Sequence, residues 1–223
     1  MKGKHIRAIL PWDDRIQGYV LTLLKLSTIV AAVVAVSFQQ WGALVFCLLT
    51  FMLMYLPELI RASARITLPI EFNVVLVLFM YASVFIGELG HAYERFWWWD
   101  AALHTGSGFI LGYIGFLILY VKVQQGSLRA GRLFVGASIF CLALAMGALW
   151  EIFEFAGDAL WAGDLQHGSL HDTMWDLIVD AAGGLIMAVI GVRHIFGKKS
   201  GFITRWAKNF ISINPRLGIR RDR

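Results

Sequence analysis

Three carboxylates, Glu151, Glu154 and Asp158, stand in the stretch LALAMGALWEIFEFAGDALW, a run otherwise apolar enough for a membrane interior. Their spacing is i, i+3, i+7, which places all three on one helical face. The pattern recurs along the chain. Glu88 and His91 are three apart, Asp100 and His104 are four apart, and Asp172, Asp176 and Asp180 follow i, i+4, i+8. Charge in hydrocarbon is costly, so such faces turn toward a bundle interior or a wet cavity. Carboxylates crowded at low dielectric repel one another, and must be protonated, paired with cations or bound to metal. The basic partners nearby are few: Arg95 and the histidines His91, His104, His167 and His171. The acidic excess favours a divalent metal ion or shared protons. Oxygen-rich ligation with one or two imidazoles suits Mg, Mn, Fe or Zn without choosing among them. The ELGH unit, Glu88 to His91, is also the Glu-x-x-His element of di-metal sites in helical bundles.

The elements that must position these residues are membrane helices. Of 223 residues, 58% are hydrophobic and 16% charged, with a mean hydropathy of +0.66. Soluble domains carry about a quarter charged residues, so the composition excludes a sizeable soluble domain. The expected fold class is all-α, a polytopic transmembrane bundle. Spanning hydrocarbon takes roughly 20 helical residues. Six spans are expected, at 19–38, 41–57, 70–90, 101–122, 133–157 and 175–196. They give a transmembrane domain over 19–196, between a cytoplasmic N-terminal segment, 1–18, and a basic cytoplasmic tail, 197–223. Pro57 and Pro69 mark helix ends in the second connection. Lys25 lies close enough to the start of the first span to snorkel. The N-terminal segment reads as lacking a cleavable signal peptide. Cys47 and Cys141, each inside an apolar run, read as buried reduced thiols.

The cations set the orientation. Lys2, Lys4, Arg7 and Arg15 precede the first span. Arg61 and Arg65 lie in the second connection, and Lys122, Arg129 and Arg132 in the fourth. The C-terminal tail carries Lys198, Lys199, Arg205, Lys208, Arg216, Arg220, Arg221 and Arg223. The first, third and fifth connections hold only Arg95. Positive residues mark the cytoplasmic side, so both termini are expected there. The net charge of +5 then reflects topology and headgroup contact, not nucleic acid. In the tail, Phe202, Trp206, Phe210 and Ile213 share a helical face with Arg205 and Lys208 off it. This reads either as an interfacial helix on anionic headgroups or as a basic, partly unstructured tail. Trp97, Trp98 and Trp99 read as an interfacial aromatic belt.

With this topology nearly every unusual ionisable residue of the last four spans falls in the outer leaflet. Four inward faces at one depth make a polar pocket open to the extracytoplasmic side. The candidate metal ligands are Glu88, His91, Asp100, His104, Glu151, Glu154, Asp158, Asp176 and Asp180. Glu151, Glu154, Asp176 and Asp180, with His104, are the candidate catalytic groups. Small residues in HTGSGFILGYIG and DAAGG let helix backbones approach below the pocket. Plainer roles compete. Asp172 reads as an N-cap and Asp176 as a first-turn acid favoured by the helix dipole. Asp100 reads as a cap, while His167 and His171 read as solvated loop residues. Asp180, two turns into its helix, has no such role. Ser107 has no adjacent base and does not read as a nucleophile.

WWDAALHTGSGFILGYIGF, WEIFEFAGD and LQHGSLHDTMWDLIVDAAGG together resemble the YjdF-type family of bacterial inner-membrane proteins. The resemblance implies a multi-pass protein of the bacterial cytoplasmic membrane and implies no reaction. The positions Asp100 and His104, Glu151 and Glu154, and Asp176 and Asp180 are more loosely similar to a pattern in VanZ-like membrane proteins. Glu154 replaces the usual Gln there, and Asp180 the usual Asn. Three functions fit the residues: a metal-dependent enzyme acting on a lipid or lipid-linked envelope substrate, a proton- or cation-coupled transporter, and a non-catalytic scaffold. The hydropathy pattern has no inverted repeat, which counts against the transporter.

Overall fold

The computed structural model describes residues 11–161, 170–197 and 201–217, and among these every element is helical. They fall into two compact units, residues 1–95 and 96–223. Five helices are each long and apolar enough to cross a membrane, and a bent helix pair makes a sixth crossing if it counts as one span. The N-terminal cations Lys2, Lys4 and Arg7 lie outside the described residues. So do His167, Lys198, Lys199, Arg220, Arg221 and Arg223.

The first unit contains α1 (Pro11–Ser37), α2 (Trp41–Leu53), α3 (Leu56–Ala64), α4 (Ile70–Met80) and the short α5 (Ala92–Arg95). A π-helical segment, Tyr81–Leu89, extends α4 and carries Glu88. The expected second span, 41–57, is the bent pair. At 13 residues α2 is about 20 Å long, short of the roughly 30 Å of hydrocarbon. The chain turns by 41° and resumes as α3. Pro57 causes the restart: it sits in the first turn of α3, where its missing N–H costs nothing. Pro69 is likewise the residue from which α4 begins. Lys25 does not snorkel. Because α1 begins at Pro11, Lys25 lies mid-helix, and its ammonium sits 3.5 Å from Glu58 and 3.8 Å above the Tyr55 ring. Its charge is met by an anion and an aromatic face inside the unit.

The second unit contains α6 (Trp99–Gln124), α7 (Arg132–Trp161), α8 (Leu170–Phe196) and α9 (Phe202–Ile213), ending in a single 3-10 turn, Pro215–Leu217. The three long helices pack against one another, and glycine makes this possible. A Cβ on Gly108 would strike the backbone carbonyl of Asp180, and one on Gly183 that of Thr105. A Cβ on Gly184 would lie 2.8 Å from that of Ala143, and one on Gly112 2.9 Å from that of Met187. The small-residue runs on α6 and α8 thus face each other, as van der Waals packing of membrane helices favours. Cys47 is buried as expected, but Cys141 is exposed on the outer face of α7. An apolar run turns its residues all round the helix, and position 141 falls on the side away from α6 and α8.

The C-terminal segment folds as a helix with Arg205 and Lys208 exposed. Its buried side is Ile203, Ala207, Phe210 and the following Asn214. Ile213 is exposed, and Trp206 stands edge-on to Tyr113 of α6 at 5.8 Å. α9 thus rests on protein through Ile203, Ala207 and Phe210, while Ile213 of the expected apolar face is exposed. Thr204 also contacts His194 Nδ1 of α8 at 2.9 Å.

Gly183→Ala should destabilise the bundle by about 1–3 kcal/mol through overpacking against backbone that cannot move aside. Thermal unfolding in detergent measures this, with Gly131→Ala, where the added methyl meets nothing within 4 Å, as the unchanged control.

Candidate metal centre

The acid-bearing ends of the three long helices meet. α6 starts at Trp99, so Asp100 lies in its first turn and His104 in its second. α8 starts at Leu170, which puts Asp172 inside the first turn and Asp176 and Asp180 further along. Neither Asp100 nor Asp172 is therefore an N-cap, and Asp176 is beyond the first turn. α7 runs the other way and delivers Glu151 about three turns before its end.

His104 is the hub. Its Nδ1 lies 3.1 Å from Asp180 Oδ2. Its Nε2 lies 3.6 Å from Asp100 Oδ1 and 3.9 Å from Glu151 Oε1. With an N–H on Nδ1 donated to Asp180, the Nε2 lone pair is free to bind an ion. Asp180 is fully buried, and its other oxygen accepts a 2.6 Å hydrogen bond from the Ser107 hydroxyl. Both Asp180 oxygens are thus engaged within the bundle. Gly147 makes room for this carboxylate, since a Cβ there would strike it.

The atoms facing Nε2 are set differently. One ligand atom each from Asp100, His104 and Asp176 lie within 4.8 Å of one another, and this trio could hold a metal ion. The 3.6 and 3.9 Å gaps are too long for hydrogen bonds. Two ligands bound tetrahedrally at 2.0–2.2 Å to one ion stand about 3.4 Å apart, close to what is seen. Glu151 is 4% exposed. Neither of its buried carboxylate oxygens completes a hydrogen bond, although the Thr173 hydroxyl faces it. Asp176 is 3% exposed, whereas the Asp100 side chain is 32% exposed and opens the cluster to its surroundings. Four carboxylates, Asp100, Glu151, Asp176 and Asp180, thus surround one imidazole.

The remaining candidates are not part of that trio, although Glu154 lies near enough to Glu151, His104 and Asp100 to feel their charges. Glu154 is half-buried and accepts a 2.8 Å hydrogen bond from the Trp150 indole, one turn back on α7. Asp158 lies in the last turn of α7. Glu88 and His91 belong to the first unit; His91 is exposed, with its Nδ1 3.3 Å from Glu94. The ELGH pair is not a continuous helical face, because the π-helical segment ends at Leu89 and His91 has a positive φ of 54°. His171 is exposed near the start of α8. Of WEIFEF, only Glu151 is buried, while Trp150, Ile152, Phe153 and Phe155 point outward. Sequence reasoning missed Ser107 and Gly147. The signal for each was spacing: Ser107 follows His104 by one turn, and Gly147 precedes Glu151 by one turn.

An all-helical chain with these spans and an acid–imidazole cluster defines a multi-span integral membrane protein. The chain belongs to the family described as "Predicted membrane protein (DUF2238)", whose model matches residues 19–196. An uncharacterized protein of Thermotoga maritima is 33% identical over 128 residues, which is 56% of this chain and 63% of that relative. The match thus spans less than two thirds of the relative's length. No solved structure matches the chain.

His104→Leu should destabilise the second unit by about 3–5 kcal/mol, because removing the one imidazole leaves buried carboxylates uncompensated. Adding Glu151→Gln to that variant should recover part of the loss, as read by thermal unfolding in detergent.

Proposed function

We propose that the second unit binds one divalent metal ion through Asp100, His104 Nε2 and Asp176, and uses it on the polar headgroup of a lipid or lipid-linked envelope substrate. The observation that carries this reading is the convergence of those three ligand atoms within 4.8 Å. Asp180 and Ser107 orient the imidazole from behind, as carboxylates do for metal-bound histidines. Glu151, buried 3.9 Å from Nε2, is the general base or a further ligand. A bound ion would supply Lewis acidity and a water of lowered pKa. The exposed side of Asp100 is where substrate enters.

Helix length supports a position close to a membrane surface. α6, α7 and α8 have 26, 30 and 27 residues and exceed the roughly 20 that span hydrocarbon. A layer centred on each helix takes in His104, Glu151, Asp176 and Asp180 just within the apolar region, about two turns or less from its edge. Asp100, Asp158 and Asp172 fall at or beyond that edge. The lysine and arginine distribution supports placing this face outside, with both termini cytoplasmic in a bacterial inner membrane. The likeness to YjdF-type proteins accords with that location, and the VanZ-like pattern carries no part of the reading.

Metal analysis of protein purified without chelators should find a stoichiometric divalent ion, depleted in Asp176→Asn and in His104→Gln. Asp180→Asn should weaken binding about 10–100-fold while leaving the three ligands in place. Affinity should fall on acidification, because protons compete for the same groups. A folded protein that neither carries nor recruits a divalent ion would overturn the proposal.

A further inference from the structure

The opposite end of the same three helices carries a second feature, independent of the acidic cluster. α7 begins at Arg132 and α8 ends with Arg193 in its last turn. An open groove of about 560 Å³ runs between them, floored by Val189, Ile190 and Val192 and walled by Ile203 of α9. Both arginines line the groove and both are exposed. Among the described residues neither guanidinium forms an ion pair. The first amides of α7, unpaired within the helix, add positive potential at the same rim.

Two guanidiniums that pair with no anion among the described residues, beside an aliphatic groove, match one class of molecule. Arginine forks bind phosphate bidentately, and basic pockets between membrane helices take anionic lipid headgroups. Beside the arginines the groove is lined by Val189, Ile190, Val192, Phe196 and Ile203, which suits an acyl chain. We propose that this groove binds an anionic phospholipid, its phosphate between Arg132 and Arg193 and an acyl chain along Val189, Ile190 and Val192. Ile203 is buried against the groove, and its neighbour Thr204 is fastened to His194. The lipid therefore also secures the first turn of α9, and the exposed Arg205 and Lys208 of that helix reinforce the preference for anionic headgroups.

The test is native mass spectrometry of the full chain in detergent, titrated with phosphatidylglycerol or with phosphatidylcholine of the same acyl chains. Phosphatidylglycerol adducts should predominate, and the double variant Arg132→Gln/Arg193→Gln should cut that preference by roughly tenfold. Val189→Trp, which keeps both arginines but fills the trough, should lose the lipid as well. Should the double variant not fold, Val189→Trp alone decides. Equal retention of the two lipids, an unchanged preference in the variants, or a thermal shift with inorganic phosphate as large as with phosphatidylglycerol would overturn the proposal. So would a dimer whose formation excludes the lipid.

Discussion

The second unit depends on one buried contact, the 3.1 Å approach of Asp180 on α8 to His104 Nδ1 on α6. It sits where three helices are at their closest. Gly108 passes the Asp180 backbone, Gly183 passes the backbone of Thr105, and Gly147 of α7 passes the Asp180 carboxylate. No residue with a side chain fits these places as they stand. The relation runs both ways. Close backbones hold Asp180 fully out of solvent, and a carboxylate so enclosed requires the donors that His104 and Ser107 supply. Apolar packing and the polar pair therefore specify the same helix register. A shift of one residue along α8 would turn the Asp180 carboxylate by about 100°, away from the donors on His104 and Ser107.

Charge arithmetic then separates the acids into two kinds. Asp180 is satisfied by the protein itself. Asp100, Asp176 and Glu151 face the other nitrogen of the same imidazole, and one ring, even when protonated, offers a single positive charge to all of them. Buried carboxylates left in that state are strongly destabilising. The proposed divalent ion would relieve the repulsion, with the 3.6 Å gap between His104 and Asp100 as a ligand-to-ligand spacing.

Much of this was legible in the sequence, for reasons that differ between elements. Span number and type follow from long apolar runs, which have few folded alternatives. Inward faces on α6, α7 and α8 follow from acids at helical spacing, and glycine runs on α6 and α8 announced close packing. What stayed hidden is what periodicity cannot carry. The bend between α2 and α3 arises because a run long enough to span contains Pro57 near its end. The π-helical segment changes the angle per residue, so the three-residue spacing of Glu88 and His91 does not place them on one face. Glu154 and Glu151 share a helical stripe, yet the Trp150 indole holds one outward while α6 and α8 enclose the other. Lys25 looked terminal only because α1 begins earlier than the apolar run.

The two ends of the three-helix unit are electrostatic opposites, and helix polarity explains part of this. α6 and α8 both direct their N-termini at the acidic cluster, and the positive ends of their dipoles favour the first-turn acids Asp100 and Asp172. α7 opposes them with its C-terminus, yet Glu151 lies about three turns from that end, beyond the range where the dipole acts. At the far end the signs reverse. Arg193 sits at the C-terminus of α8, where a cation is favoured, but Arg132 stands at the N-terminus of α7, where it is not. A cation placed against the local dipole, beside a second cation and with no anion paired to it among the described residues, favours a counter-charge from a bound ligand. At a membrane surface that charge is most readily a lipid phosphate. The fold thus gathers carboxylates at one end and arginines at the other, and the two proposed partners, a cation and an anionic lipid, differ accordingly.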